Sequence, residues 1–210
     1  MSQRQVHGFN FQAAIRAQHG LPTEKNHREP WDMILKGHPY EIKTAKGPGG
    51  IGLSSLKKFF DNDDPFTWII GWHNDYHITG LDVIDVDEEL LEKLKGDTDL
   101  NLVNEAVAQL NIENFCEGDH HRAREWGREI TAHAAQFNSA ITWNCKVDSK
   151  RQRRWQCSLN RANWGKYIGS YATDAIYRGY DYSTIADIRC EQTCSAITER
   201  LLNEQKECAR

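Results

Sequence analysis

Two carboxylates and an ammonium are carried by one short apolar stretch. It runs Trp31-Asp32-Met33-Ile34-Leu35, then Lys36-Gly37-His38-Pro39, then Tyr40-Glu41-Ile42-Lys43-Thr44. The pattern reads as two strands joined by a Gly/Pro turn. Strand residues two apart share a face, so Glu41 and Lys43 project together while Tyr40 and Ile42 face the core. A hairpin closing around Gly37-His38 brings Asp32 within a few residues of being opposite Glu41. Two hard oxygen ligands suit Mg²⁺, and a lysine beside them can steer or deprotonate a metal-bound water. The chemistry expected of such a cluster is phosphodiester hydrolysis. The bland alternative is a surface hairpin whose Glu–Lys pair contributes little to stability.

The elements around the cluster have to position it. Residues 4–19 read as a helix with Val6, Phe9, Phe11 and Ile15 near one face, ended by Gly20 and Pro22. After the hairpin, Lys46 to Ser55 reads as a glycine loop. Ser54 or Ser55 would cap a helix, Leu56 to Phe60. The loop lacks the Gly-Lys-Ser/Thr ending of a nucleotide-binding loop. It still offers backbone N–H groups, with Lys46, Ser54 and Ser55, to a DNA phosphate. Thr67 to His73 reads as a buried strand that turns at Asn74-Asp75 into Tyr76 to Ile84.

Asp32, eight intervening residues, then Glu41-Ile42-Lys43 resembles the PD-(D/E)xK nuclease superfamily, and the helix, hairpin, helix, strand order agrees with that resemblance. It covers roughly residues 4 to 85 and departs from the pattern where Trp31 separates Pro30 from Asp32. The resemblance implies a restriction-endonuclease-like α/β core with a mixed central sheet flanked by helices. In it Asp32, Glu41 and the Ile42 carbonyl bind Mg²⁺, and Lys43 holds or activates the attacking water. It also implies a catalytic role for Gln12, since related nucleases often place Glu or Gln on that helix; a plain surface glutamine is the alternative. Glu24 or Glu29 could supply a further carboxylate. A twofold homodimer acting on double-stranded DNA is a further implication, because two active sites are needed to cut two antiparallel strands.

Length and charge frame the rest. A chain of 210 residues can bury a sizeable core, and a single compact domain over 1–210 is expected, with helical and β-hairpin additions after about residue 86. No apolar run reaches bilayer length, and the N-terminus lacks a signal-peptide apolar region. A soluble cytoplasmic protein without membrane contact is expected. The net charge of −4 hides an asymmetry. Asp82 to Glu117 is strongly acidic and reads largely as helices, Asp87–Leu94 and Leu100–Ile112, with a third from His120 to Phe137. Ile141 to Ser170 is basic and suits nucleic acid.

That basic block carries a second hairpin, Ala140 to Val147 and Arg154 to Asn160, with strict alternation. Trp143, Cys145 and Val147 share a face with Trp155, Cys157 and Leu159. Thr142, Asn144, Lys146, Gln156, Ser158 and Asn160 form the other. Those side chains suit base edges, and a two-stranded ribbon fits a major groove. The turn Asp148 to Arg153, with Lys150, Arg151 and Arg153, suits phosphates, Arg154 opens the return strand beside it as a further candidate DNA contact, and Arg161 extends the contact. A plain solvated face is the alternative. Cys145 and Cys157 are expected to face each other and, with Cys190 and Cys194, are candidates for a zinc site. Buried free thiols are the simpler reading.

The function expected is a Mg²⁺-dependent, sequence-specific endonuclease of the type II restriction kind. A structure-specific or repair nuclease resembling junction resolvases, and a non-catalytic DNA-binding protein on a nuclease fold, stay as alternatives.

Overall fold

The structure, a computed structural model, describes residues 3–23, 30–46, 50–74, 78–110, 119–138, 140–149, 152–169 and 172–174. It is mixed α/β and groups into two compact units. One is drawn from Met1–Gly49, Phe66–Val86 and Tyr171–Arg210, the other from Gly50–Pro65 and Asp87–Ser170.

The first unit contains helix α1 (Gln3–Gln18) and strands β1 (Met33–Leu35) and β2 (His38–Lys46). The second unit opens with β3 (Ile51–Ser55) and α2 (Leu56–Phe60). The chain then returns to the first with β4 (Phe66–His73) and β5 (Ile78–Val86). Helices α3 (Glu88–Lys95), α4 (Leu100–Gln109) and α5 (His120–Ala134) follow in the second. It closes with β6 (Ile141–Ser149), β7 (Gln152–Leu159), a short α6 (Arg161–Asn163) and a π turn over Trp164–Ile168. Strand β8 (Ala172–Asp174) completes the first sheet. Among the described residues no helix is long and apolar enough to cross a membrane.

The first sheet has the order β1-β2-β4-β5-β8 and is mixed: β2 and β4 are parallel, the other pairs antiparallel. Every residue of β4 but His73 is buried, as expected of a central strand covered on both faces. The hairpin closes at Lys36-Gly37, one residue earlier than the Gly37-His38 turn expected from sequence. Leu35 pairs His38, and both turn residues have positive φ, 50° and 83°. Those values suit the two-residue hairpin turn whose twist matches its strands. The register Met33↔Tyr40, with the Asp32 N–H donating to Tyr40 O at 3.0 Å, continues to set Asp32 beside Glu41.

Helix α1 packs its Phe11, Ala14, Ile15 and Ala17 on this sheet against Met33, Ile42, Ile69 and Val83. The Phe11 ring lies where a Cβ on Gly71 would come within 2.7 Å, so the helix approaches β4 through a missing side chain. Phe9 is not on that core face. It is 41% exposed, whereas the buried positions among the described side chains of α1 are 10, 11 and 13–17.

The second unit holds a three-stranded sheet, β3-β7-β6. The stretch expected as a glycine loop therefore contains a strand. Ile51 and Leu53 bury their side chains, and Ser55 still caps α2 by accepting from the Lys58 N–H at 3.3 Å. The aromatic side chains Phe60, Trp143, Trp155 and Trp126 meet in sequence at centroid distances of 5.8, 6.0 and 5.7 Å. Asn138, fully hydrogen-bonded, ties the end of α3 to the start of β6. Its amide donates to Leu94 O and Lys95 O, and its carbonyl accepts from Ala140 and Ile141 N–H.

Candidate functional site

Asp32, Glu41 and Lys43 meet, as their spacing suggested. The two carboxylate residues are buried, at 6% and 5% exposure, while the Lys43 side chain keeps 22%. The Lys43 ammonium donates to Glu41 Oε1 at 2.5 Å and lies 3.6 Å from Asp32 Oδ2. Burial pulls the Lys43 pKa down, but attraction to Glu41 and then Asp32, with hydrogen bonds to both, outweighs it. The group is held above the ordinary lysine value and stays an ammonium.

Asp32 is fixed on both oxygens. Oδ1 accepts from Gln12 Nε2 at 3.0 Å and Oδ2 from the Ile42 N–H at 2.8 Å. Strand β1 pairs β2 only over His38 to Tyr40, so the Asp32 carboxylate takes the place of a neighbouring strand at Ile42. A strand residue's N–H and C=O point to the same edge, which puts the Ile42 carbonyl on the side where Asp32 lies. Gln12, expected to reach this cluster, does so through Asp32.

Asp32, Ile42, Lys43 and Gln12 line an open cleft of about 240 Å³ with Gly8, Phe9 and Thr44, and Glu41 is joined to it through the Lys43 ammonium. Among the described residues no three His, Cys, Asp or Glu side chains cluster to hold a metal by themselves. The donor set here is smaller: two carboxylates, a carbonyl and room for water. It fits Mg²⁺, which is bound through one or two carboxylates and keeps several waters. The ammonium bridging both carboxylates marks where a cation is attracted. Phe9, Thr44 and Arg16 belong to this neighbourhood and were not singled out from sequence. Gln12 and Arg16 are four apart on α1, a spacing that could have shown their shared face.

The expected DNA contacts are dispersed. Lys46 is exposed at the end of β2. In the second unit, Lys146 and Arg154 are direct cross-strand partners, as are Asn144 and Gln156, and Thr142 and Ser158. Like charges directly opposite repel, so the Lys146–Arg154 pair favours an anion. Several polar groups are engaged within the protein. Asn144 Nδ2 donates to Ser158 Oγ at 2.8 Å, Ser54 Oγ donates to Ser55 O, and Asn160 Oδ1 caps α6 by accepting from Asn163 N–H.

Three expectations need correction. The hairpin is not a two-stranded ribbon, because β3 pairs with β7 and makes it the central strand. Its polar face is therefore wider than a groove-sized ribbon and includes Ser55, partner of Gln156. Arg153 is not a turn residue: the strands continue to Ser149 and Gln152, and Arg153 pairs Val147 on the face opposite Arg154. Cys145 and Cys157 do not face each other. Cys145 pairs Trp155 and Cys157 pairs Trp143, and burial pushes the Cys145 thiol up to about 11. Arg161, exposed, begins α6. Lys150 and Arg151, like Glu24, Glu29, Cys190 and Cys194, lie outside the described residues.

No protein-family model, curated protein or solved structure matches this chain.

Proposed function

We propose that this chain hydrolyses phosphodiester bonds in double-stranded DNA with Mg²⁺, as a sequence-specific endonuclease. The observation that carries the reading is the meeting of Asp32, Glu41 and Lys43 at the edge of an open cleft that Asp32 and Lys43 line, in the order and spacing that resemble PD-(D/E)xK nucleases. A buried two-carboxylate, one-ammonium cluster is costly to build for stability alone, which favours a functional reason for it.

In this reading Asp32, Glu41 and the Ile42 carbonyl hold the cation, and Gln12 keeps Asp32 turned toward Ile42. Bound there, Mg²⁺ supplies charge stabilisation at the scissile phosphate and its leaving oxygen. Lys43 Nζ, as an ammonium, holds the attacking water by donating a hydrogen bond to it and adds positive charge beside the scissile phosphate. The Lys146–Arg154 pair, with Asn144 and Gln156 beside it, offers phosphate and base contacts on the second unit's sheet. A twofold homodimer supplies one site per strand.

The test is digestion of a long unmethylated phage DNA with and without Mg²⁺, beside Lys43→Ala and Glu41→Gln variants. Discrete Mg²⁺-dependent fragments are expected from the wild type alone. Glu41→Gln should lose metal binding, and Lys43→Ala should bind DNA without turnover. Cleavage of branched junctions but not of the long duplex would shift the substrate to shaped DNA. Cleavage retained by folded Lys43→Ala would refute the assignment.

A further inference from the structure

Helix α1 touches Asp32 at both ends of the residue. Gln12 donates from its side chain to the Asp32 carboxylate at 3.0 Å. One turn later, Arg16 donates Nη1 to the Asp32 backbone carbonyl and Nε to Pro22 O, the latter at 2.6 Å. Arg16 is itself buried, 6% exposed. Residues four apart on a helix lie on one face, so Gln12 and Arg16 form a single two-point grip. Arg16 fixes where the Asp32 main chain lies, and Gln12 fixes how its side chain is turned. The remaining carboxylate oxygen, Oδ2, is then directed to the Ile42 N–H and toward Lys43.

We infer that Arg16 is a positioning residue for the candidate metal ligand Asp32, acting with Gln12 as a clamp; this rests on the metal-site reading above. A guanidinium is suited to the task. Its planar fork spans two carbonyls at fixed geometry, which the single ammonium of lysine does not. Partners that orient metal ligands typically change metal affinity by about 10–100-fold when removed. The inference therefore concerns a buried arginine that sequence alone would assign to the surface.

The test uses the full chain, free of DNA, and Mn²⁺ as a paramagnetic substitute for Mg²⁺. Mn²⁺ dissociation constants are measured by electron paramagnetic resonance for the wild type, Arg16→Lys, Gln12→Ala and the double variant. Circular dichroism identifies which variants are folded. Folded Arg16→Lys is expected to bind Mn²⁺ at least about tenfold more weakly, with excess Mg²⁺ restoring cleavage. Acting on one carboxylate, the two substitutions should combine less than additively. If Arg16→Lys does not fold, Gln12→Ala carries the test of the clamp, with the same tenfold loss expected. Wild-type affinity in a folded Arg16→Lys protein, or in Gln12→Ala where only that variant folds, would overturn the clamp and leave the metal reading standing. Failure of the wild type itself to bind Mn²⁺ would overturn the metal reading and the clamp with it.

Discussion

Replacing Lys43 with Met should create a stability defect that a divalent cation repairs. In the wild type, the ammonium sits 2.5 Å from Glu41 Oε1 and 3.6 Å from Asp32 Oδ2. At an effective dielectric near 20, those separations correspond to about 7 and about 5 kcal/mol of gross attraction, most of it offset by desolvation. Removing one partner of a buried ion pair typically costs about 3–5 kcal/mol. The Lys43 side chain is 22% exposed, so water screens part of this and about 2–3 kcal/mol is expected. For a chain of this size that is a fall of roughly 5–10 °C in Tm in EDTA. Mg²⁺ at about a hundredfold its dissociation constant would return about 2.7 kcal/mol, nearly the whole loss. The wild type should respond less, because its ammonium competes for the same oxygens. The Lys43 pKa is raised on folding, so its contribution is fully present below the ordinary lysine value and is lost as pH rises through the folded one. The defect should thus be constant across neutral pH and shrink only in strong alkali. Thermal melts followed by circular dichroism read all of this. A variant melting with the wild type in EDTA would refute the reasoning, as would rescue by Mg²⁺ no greater than that by NaCl of equal ionic strength.

Other substitutions test the surrounding frame. Asn138→Ala removes four hydrogen bonds from a buried junction, for an expected loss of about 3–4 kcal/mol in denaturant unfolding; a loss below about 1 kcal/mol would contradict the staple. Gly71→Ala would bring a Cβ within 2.7 Å of the Phe11 ring, and the overpacking should cost about 1–3 kcal/mol, with Phe11→Leu in the same chain relieving part of it. The Cys145 thiol, raised by burial to about 11, should react with iodoacetamide at pH 8 roughly a hundredfold more slowly than an ordinary cysteine, since the thiolate is the nucleophile. Its rate, followed on the Cys145 peptide by mass spectrometry, should climb about tenfold per pH unit toward pH 11, and rapid labelling of Cys145 in the folded protein at pH 8 would contradict the burial.

The chemistry-bearing hairpin was legible because its signals are local: alternation over Tyr40 to Thr44, and a turn at Gly37. The parallel pairing of β2 with β4 is a long-range fact that no window of sequence carries. Strand β3 was hidden by Gly50 and Gly52, which read as loop, while Ile51 and Leu53 supply its only alternation. Arg153 was misplaced because the hairpin continues past Val147 through an irregularity before Ser149. Phe9 looked like core by type, yet lines the cleft. Arg16 shows the converse, a charge placed inside because backbone carbonyls receive it.

The most direct test of the central claim is digestion of long unmethylated phage DNA by the wild type and by Lys43→Ala, each with Mg²⁺ and with EDTA. Discrete fragments from the wild type in Mg²⁺ alone, and from no other lane, are the predicted result. Fragments from folded Lys43→Ala, or wild-type cleavage that persists in EDTA, would contradict it.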